Sequence, residues 1–235
     1  HPPVSTYDDV AVEYYDSLRH PTCANFSELS KVYLTPRVRK YLSTFSRILE
    51  VGAGRSTVAA IMHQDGYPLE RLTLLDKSSG MLAHSREWAK DGLPRLIIRD
   101  ACRTELPSGN FGLIVSALGD PYNCPSFWQE VARLLEPGGI CLFTTPAPEW
   151  SMRFREPHAQ SYAEFVVAGG YTVLVPSQVP PLDQQVRMIA EPGLQVVEVV
   201  SLSAEDLTGT RSPKLLVSEN TKRLSIVRGF AAQRV

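Results

Sequence analysis

The stretch that most constrains this chain is Arg47-Ile48-Leu49-Glu50-Val51-Gly52-Ala53-Gly54-Arg55-Ser56-Thr57, an apolar run that enters a two-glycine turn and leaves it with helical period. Gly52 and Gly54 have no Cβ to keep a ligand off the backbone, and the start of the following helix offers unpaired N–H groups. From about residue 45 onward, short β-branched runs alternate with helical stretches, the pattern of βαβ units around a mostly parallel sheet. The spacing predicts strands over 47–51, 71–75, 96–99, 111–117, 140–144, 194–200 and 225–230. Helices are predicted over 56–64, 78–90, 126–135 and 182–190, with Ser78 and Ser126 as N-caps and Glu136-Pro137-Gly138-Gly139 breaking the third. Residues 1–44 read as a helical segment with Pro36 near a helix start. The segment 146–183 holds six prolines and two glycines and is too long for an ordinary connection, so it reads as an insertion over the rim of the sheet.

A GxG turn is common in plain loops. Here Asp76 closes the predicted second strand 22 residues after Gly54, where a carboxylate can hold both hydroxyls of a ribose, and the pair is a nucleoside-binding signal. Thr57 stands where the dinucleotide pattern GxGxxG wants its third glycine, which weakens a dehydrogenase reading. Asp100-Ala101 follows the third strand, and Leu134-Leu135-Glu136-Pro137-Gly138-Gly139 precedes the fifth. With these four pieces in order over residues 7–145, and more loosely beyond, the chain resembles the class I S-adenosylmethionine-dependent methyltransferases; Ser56 replaces the third glycine of their acidic-x-GxGxG motif. The resemblance implies an α/β fold, a doubly wound Rossmann-like sheet of seven strands, mostly parallel with the last antiparallel, and S-adenosylmethionine as cofactor. It implies one domain over 1–235: a helical lid (1–44), a cofactor-binding core (45–145), a substrate-cap insertion (146–183) and a C-terminal completion of the sheet (184–235). Glu50, Gly52, Ala53 and Gly54 would then cradle the amino-acid end of the cofactor, and Asp76 would hold its ribose. Asp100 would accept from the adenine amine, the Ala101 N–H would meet a ring nitrogen, and Lys77 and Met81 would wall the adenine. Tyr7 and Tyr14 fall in Tyr7-Asp8-Asp9-Val10-Ala11-Val12-Glu13-Tyr14, which is similar to a YDxxAxxY segment that folds over the sulfonium in many small-molecule enzymes of this type.

Ser116, Asp120 and Tyr122 stand at or beyond the fourth strand, where this family meets its methyl acceptor. Asp120-Pro121-Tyr122 invites comparison with the Asp-Pro-Pro-Tyr motif of amino-methylating enzymes, one proline short and about three residues late. Its carboxylate would orient an exocyclic amine and its ring would stack on it; otherwise it is a turn opening the next helix. His20 and His158 are candidate general bases against a plain reading as loop histidines, whereas His63 and His84 fall on flanking helices. Cys23, Cys102, Cys124 and Cys141 show no CxxC spacing, so no metal site or disulfide framework is expected and a reducing cytoplasm fits. Basic and acidic residues balance at 24 and 25, which argues against nucleic-acid binding through a global positive field. No apolar run approaches the roughly 18–20 residues that cross a bilayer, and the start His-Pro-Pro suits a processed, tagged or excised piece of something longer. The first reading is methyl transfer to an O, N or C atom of a small molecule, with no membrane partner and the oligomeric state open. The alternative is a nucleotide or nucleic-acid exocyclic amine, favoured by Asp120-Pro121-Tyr122 and by Arg153, Arg155 and Lys214 if these line one groove. A third is a catalytically silent scaffold that keeps the fold for a partner.

Overall fold

The computed structural model describes residues 1–215 and 221–235. Its nine strands are β1 (Ile48–Val51), β2 (Leu72–Asp76), β3 (Arg95–Ile98), β4 (Phe111–Ser116), β5 (Leu135–Pro146), β6 (Tyr162–Val166), β7 (Thr172–Pro176), β8 (Leu194–Leu202) and β9 (Val227–Arg234). Seven form one sheet in the order β3-β2-β1-β4-β5-β9-β8, and β6 and β7 form a separate hairpin. β1 pairs in parallel with both β2 and β4, so the strand order reverses at β1 and opens a crevice beyond its carboxyl end. β9 runs antiparallel to β5 and β8, giving the mostly parallel sheet with an antiparallel last strand that the resemblance implies.

Successive residues of a strand face opposite sides, and each side of this sheet has its own helices. Ile48 and Leu113 pack with Leu34 and Val38 of α2 (Pro21–Leu42) and Val58 and Met62 of α3 (Thr57–Gln64). Leu49 and Ile114 pack on the other side with Phe127 and Trp128 of α5 (Pro125–Leu134) and Ile189 of α7 (Leu182–Ala190). Two-sided burial explains why the inner strands read as continuous apolar runs.

Several local expectations shift. The N-terminal segment is helical only over α1 (Tyr7–Val10) and α2, with turns between. Pro36 lies inside α2 rather than near a start; it deprives the Val32 carbonyl of its donor, which is tolerable because Val32 is 44% exposed and water reaches that face. The helix predicted over 78–90 is α4 (Ser79–Leu82), capped by Ser78 as expected, followed by a 3-10 turn (Ala83–Trp88). Ser126 is not a cap: α5 starts one residue earlier, at Pro125, whose missing N–H suits the first helical position, and Cys124 takes the cap. Glu136-Pro137-Gly138-Gly139 sits within β5 as a bulge, because Leu135 already pairs with Phe111 before Ile140 pairs with Leu113. The insertion contains α6 (Pro148–Ser151), 3-10 turns and the β6–β7 hairpin, whose second strand coincides with the strand-like run Tyr171 to Val175 of the sequence. The N-terminus adds to this hairpin, with Ser5 N donating to Leu174 O at 2.8 Å and Leu174 N to Pro3 O at 2.9 Å.

The turn from β1 into α3 is held from beneath by Glu50, which is 1% exposed. Its carboxylate accepts from the Ser56 hydroxyl, the Thr57 N–H at 3.0 Å and the Val58 N–H at 3.3 Å, while the Ser56 oxygen caps Ala59 N at 2.9 Å. Helix N–H groups that have no partner inside α3 are thus satisfied. Burial outweighs these donors and pushes the Glu50 carboxyl from 4.5 up to about 7.

Two outcomes follow. In Gly229→Ala the new Cβ would lie 2.5 Å from the Tyr33 ring of α2, and urea unfolding should show a loss of about 1–3 kcal/mol from overpacking. For Glu50, the folded carboxyl holds a proton between pH 4.5 and about 7 that the unfolded chain has released, so its contribution to stability falls as pH rises through that window, by on the order of 3 kcal/mol. Unfolding curves at about pH 5 and about pH 7.5 should therefore diverge less in Glu50→Gln than in the parent protein.

Candidate functional site

A cavity of about 870 Å³ opens at the carboxyl ends of β1 to β4, within the range of roughly 300–1,000 Å³ usual for small-molecule sites. Its floor is the glycine turn. Gly52 and Gly54 have φ of 60° and 42°, a region that favours glycine. A Cβ on Gly52 would stand 2.3 Å from the Tyr122 hydroxyl, and one on Gly54 would stand 2.3 Å from the Tyr15 hydroxyl. The turn is therefore sandwiched between two tyrosines and admits no larger residue.

Asp76 closes β2 beside this turn and is 9% exposed. One carboxylate oxygen accepts from Gly54 N at 3.0 Å and the other from Ser78 N at 2.9 Å, so the acid ties two strand ends together. Each oxygen keeps a further lone pair, and Asp76 lines the cavity. Burial raises its carboxyl above the ordinary value despite these donors. Lys77, Met81, Asp100 and Ala101 line the same end, with the Lys77 ammonium 3.1 Å from the Asp100 carboxylate across the rim. Burial pulls the Asp100 carboxyl up, but the Cys102 N–H at 2.8 Å and Lys77 together hold it below the usual range.

The N-terminal segment and the hairpin form the roof. The Tyr7 hydroxyl donates to Pro176 O at 3.1 Å, and Tyr14 stacks on Phe165 of β6 with centroids 6.1 Å apart. His20 stacks on the same ring at 4.0 Å, and its Nε2 lies 2.9 Å from the Glu13 carboxylate. Tyr7, Tyr14 and His20 all line the cavity. Tyr15, which carried no sequence signal, and Asp8, the acid of the YDxxAxxY-like segment, fasten this roof. Tyr15 accepts the Arg55 N–H at 2.7 Å and lies under the Arg55 guanidinium at 4.3 Å, and Asp8 accepts from Gly80 N at 2.9 Å and from the Ser78 hydroxyl. Tyr14 and Tyr15 are adjacent and serve opposite walls because the chain turns after Val10 instead of continuing as a helix.

Other anticipated residues stand elsewhere. Glu50 and Ser116 lie beneath the floor and do not line the cavity: Glu50 holds α3, and the Ser116 hydroxyl bonds the Tyr122 hydroxyl at 2.6 Å. Tyr122 lines the cavity, but its hydroxyl is committed to Val51 O at 3.0 Å, so it supports the glycine turn. Asp120 lies outside the lining, 7% exposed, and accepts from the Ser177 hydroxyl; burial pushes its carboxyl up to about 6. Arg155 grips the Ser177 hydroxyl at 2.7 Å and Gln160 O at 2.7 Å, so this cluster anchors the insertion to the exit of β4 rather than presenting an amine-orienting pair. His158 is exposed on a 3-10 turn (Pro157–Ala159), against the ring of His1 at 4.5 Å and away from the cavity. Arg153, Arg155 and Lys214 do not line it either, and the Lys214 ammonium lies over the Phe154 ring.

A nucleoside joined to an amino acid fits these residues. The glycine turn exposes backbone, Asp76 offers acceptor capacity beside it, and Met81 and Ala101 give an apolar face next to the Asp100 acceptor. A family model described as a methyltransferase domain matches residues 48–139. A malonyl-[acyl-carrier protein] O-methyltransferase of Enterobacter lignolyticus is 31% identical over 129 residues, 50% of this chain and 49% of that protein. A ubiquinone/menaquinone biosynthesis C-methyltransferase of Methylobacterium nodulans is 35% identical over 104 residues, 41% of each chain. The match thus spans about half the length of these curated relatives, or less. Among solved structures, an S-adenosylmethionine-dependent methyltransferase of Mesorhizobium loti has a TM-score of 0.62 at 21% identity, covering 85% of this chain and 96% of that one. The CcbJ methyltransferase of Streptomyces caelestis has a TM-score of 0.62 at 16% identity, covering 98% and 96%. These likenesses show the fold, and within it residues 48–139 match the methyltransferase-domain family.

Proposed function

We propose that this protein transfers a methyl group from S-adenosylmethionine to a small molecule held under the roof of the cavity. The observation that carries this reading is that one cavity joins the Gly52–Asp76 end to a polar wall made by His20 and by Ser27 and Ser30 of α2. When bound, the cofactor supplies a methyl group already activated on a sulfonium, so alignment of the acceptor and exclusion of water can provide much of the acceleration. In this chain Asp76 would hold the ribose hydroxyls, Asp100 and the Ala101 N–H would hold the adenine, and the bare backbone at Gly52 and Ala53 would admit the amino-acid end. Tyr7, Tyr14 and Phe165 would keep water out. His20 would take the proton of an O–H or N–H acceptor at Nδ1, since Glu13 engages Nε2 and fixes the ring.

A small acceptor is favoured because the N-terminal segment and the hairpin cover part of the space, and Arg153, Arg155 and Lys214 lie outside it. The relatives named above as an O-methyltransferase and a C-methyltransferase are consistent with a small or carrier-bound acceptor. Among the described residues no helix is long and apolar enough to cross a membrane.

Calorimetric titration with S-adenosylhomocysteine should show micromolar binding, weakened about 10- to 100-fold in Asp76→Asn, as expected when a hydrogen bond to a charged group worth about 1.5–3 kcal/mol is lost. An intact fold that binds none would overturn the proposal in favour of the scaffold. His20→Asn should leave this affinity within about twofold while lowering transfer to an O–H or N–H acceptor by about 10²- to 10⁴-fold. Equal turnover in the two proteins would remove His20 from the reaction.

A further inference from the structure

At the Asp100 end of the cavity the wall carries two cysteines whose separation of 22 residues gives no hint of pairing. Cys102 lies just beyond Asp100 after β3, and Cys124 is the N-cap of α5. The fold brings their sulfurs to 3.6 Å, and both line the cavity. Both are half-buried, whereas Cys141 is fully buried within β5.

We propose that Cys102 and Cys124 are a modification site, a dithiol that closes to a reversible disulfide with a mild two-electron oxidant such as hydrogen peroxide. A disulfide bond is about 2.05 Å long, so the sulfurs need to approach by about 1.5 Å, within reach of side-chain rotation and a small loop movement. Burial, the neighbouring Cys124 thiol and Asp100 push the Cys102 thiol up to about 12, so Cys102 is the poorer first nucleophile, and in this step Cys124 attacks and Cys102 resolves. The Cys124 thiolate sulfur bonds one peroxide oxygen, the O–O bond breaks, and the departing hydroxide takes a proton to become water. The Cys102 sulfur then attacks the resulting sulfenic sulfur, the S–O bond breaks, and the hydroxyl leaves with the Cys102 proton as a second water. Two thiols lose two electrons, the peroxide gains them, and a thiol reductant reverses the step.

The link would act on the cavity through Asp100. The Cys102 N–H donates to the Asp100 carboxylate at 2.8 Å, so drawing Cys102 toward α5 displaces the loop that carries Asp100 and Ala101. Oxidation and ligand binding at this end therefore oppose one another, a coupling that rests on the cofactor site proposed above; the disulfide itself does not. In a reducing compartment such a bond would be transient, as a redox-responsive pair requires.

The test treats the reduced protein with stoichiometric hydrogen peroxide and follows intact mass, free thiols and digested peptides. The expected result is a decrease of about 2 Da, loss of two of the four thiols, and one peptide linking residues 102 and 124, all reversed by dithiothreitol and absent in Cys102→Ser and Cys124→Ser. Separate sulfinic acids or links between chains, with no 102–124 peptide, would overturn the pair. S-adenosylhomocysteine affinity should fall at least about tenfold on oxidation, equivalent to about 1.4 kcal/mol, and return on reduction. A linked peptide with unchanged affinity would overturn the coupling. Failure of the reduced protein to bind would overturn the cofactor reading and the coupling with it, and the peptide readout would still decide the disulfide.

Discussion

The molecule depends on how β1 hands over to α3. A parallel strand buried on both sides must turn sharply into a helix that packs back on the sheet, and the turn must stay open on its upper side. Glu50 meets both requirements from below. It satisfies the free N–H groups at the start of α3, so no side chain is needed above the turn to cap them. Asp76 braces the turn through Gly54, and Tyr122, from the cavity wall, braces it through the Val51 carbonyl. With these supports in place Gly52 and Ala53 still line the cavity.

The roof follows another logic. It has a small apolar seam, Val10 with Phe165, Val173 and Val175, and is otherwise fastened at points: Asp8 on the start of α4, Tyr15 on the start of α3, and Arg155 with Asp120 at the base of the hairpin. A layer held by a few polar contacts over a large, well-packed base can move while the base does not. The floor is therefore the rigid partner and the roof the adjustable one, which suits a site that must admit a ligand and then exclude water.

Most of the floor was legible in the chain because it is written locally. A strand, two glycines and a helix adjoin in sequence, Asp76 ends the next strand and Asp100 lies just beyond the one after it. The roles of Asp120 and Tyr122 were not, since their partners Ser177, Val51 and Ser116 come from elements that the motif does not specify. His158 looked close to the acceptor because its segment crosses the rim, but which side of an insertion faces inward depends on packing that a short, proline-rich stretch does not encode as a period. Pro36 misled for a related reason: a helix tolerates proline where the orphaned carbonyl meets water, and that is a property of the surface on which α2 lies. Tyr15 and the Cys102–Cys124 pair depend on contacts between distant loops and carried no local signal.

The pairing of Pro3 and Ser5 with Leu174 has a consequence for how the molecule is made. These residues are made before the strand they join, which emerges about 170 positions later, and the hairpin beneath them has to form before they can settle. During synthesis the Rossmann-like half can assemble β1 to β4 while the first twenty residues remain unplaced. The cavity is thus built floor first and covered last, so a nascent chain passes through a stage in which its Gly52–Asp76 end is formed and fully open.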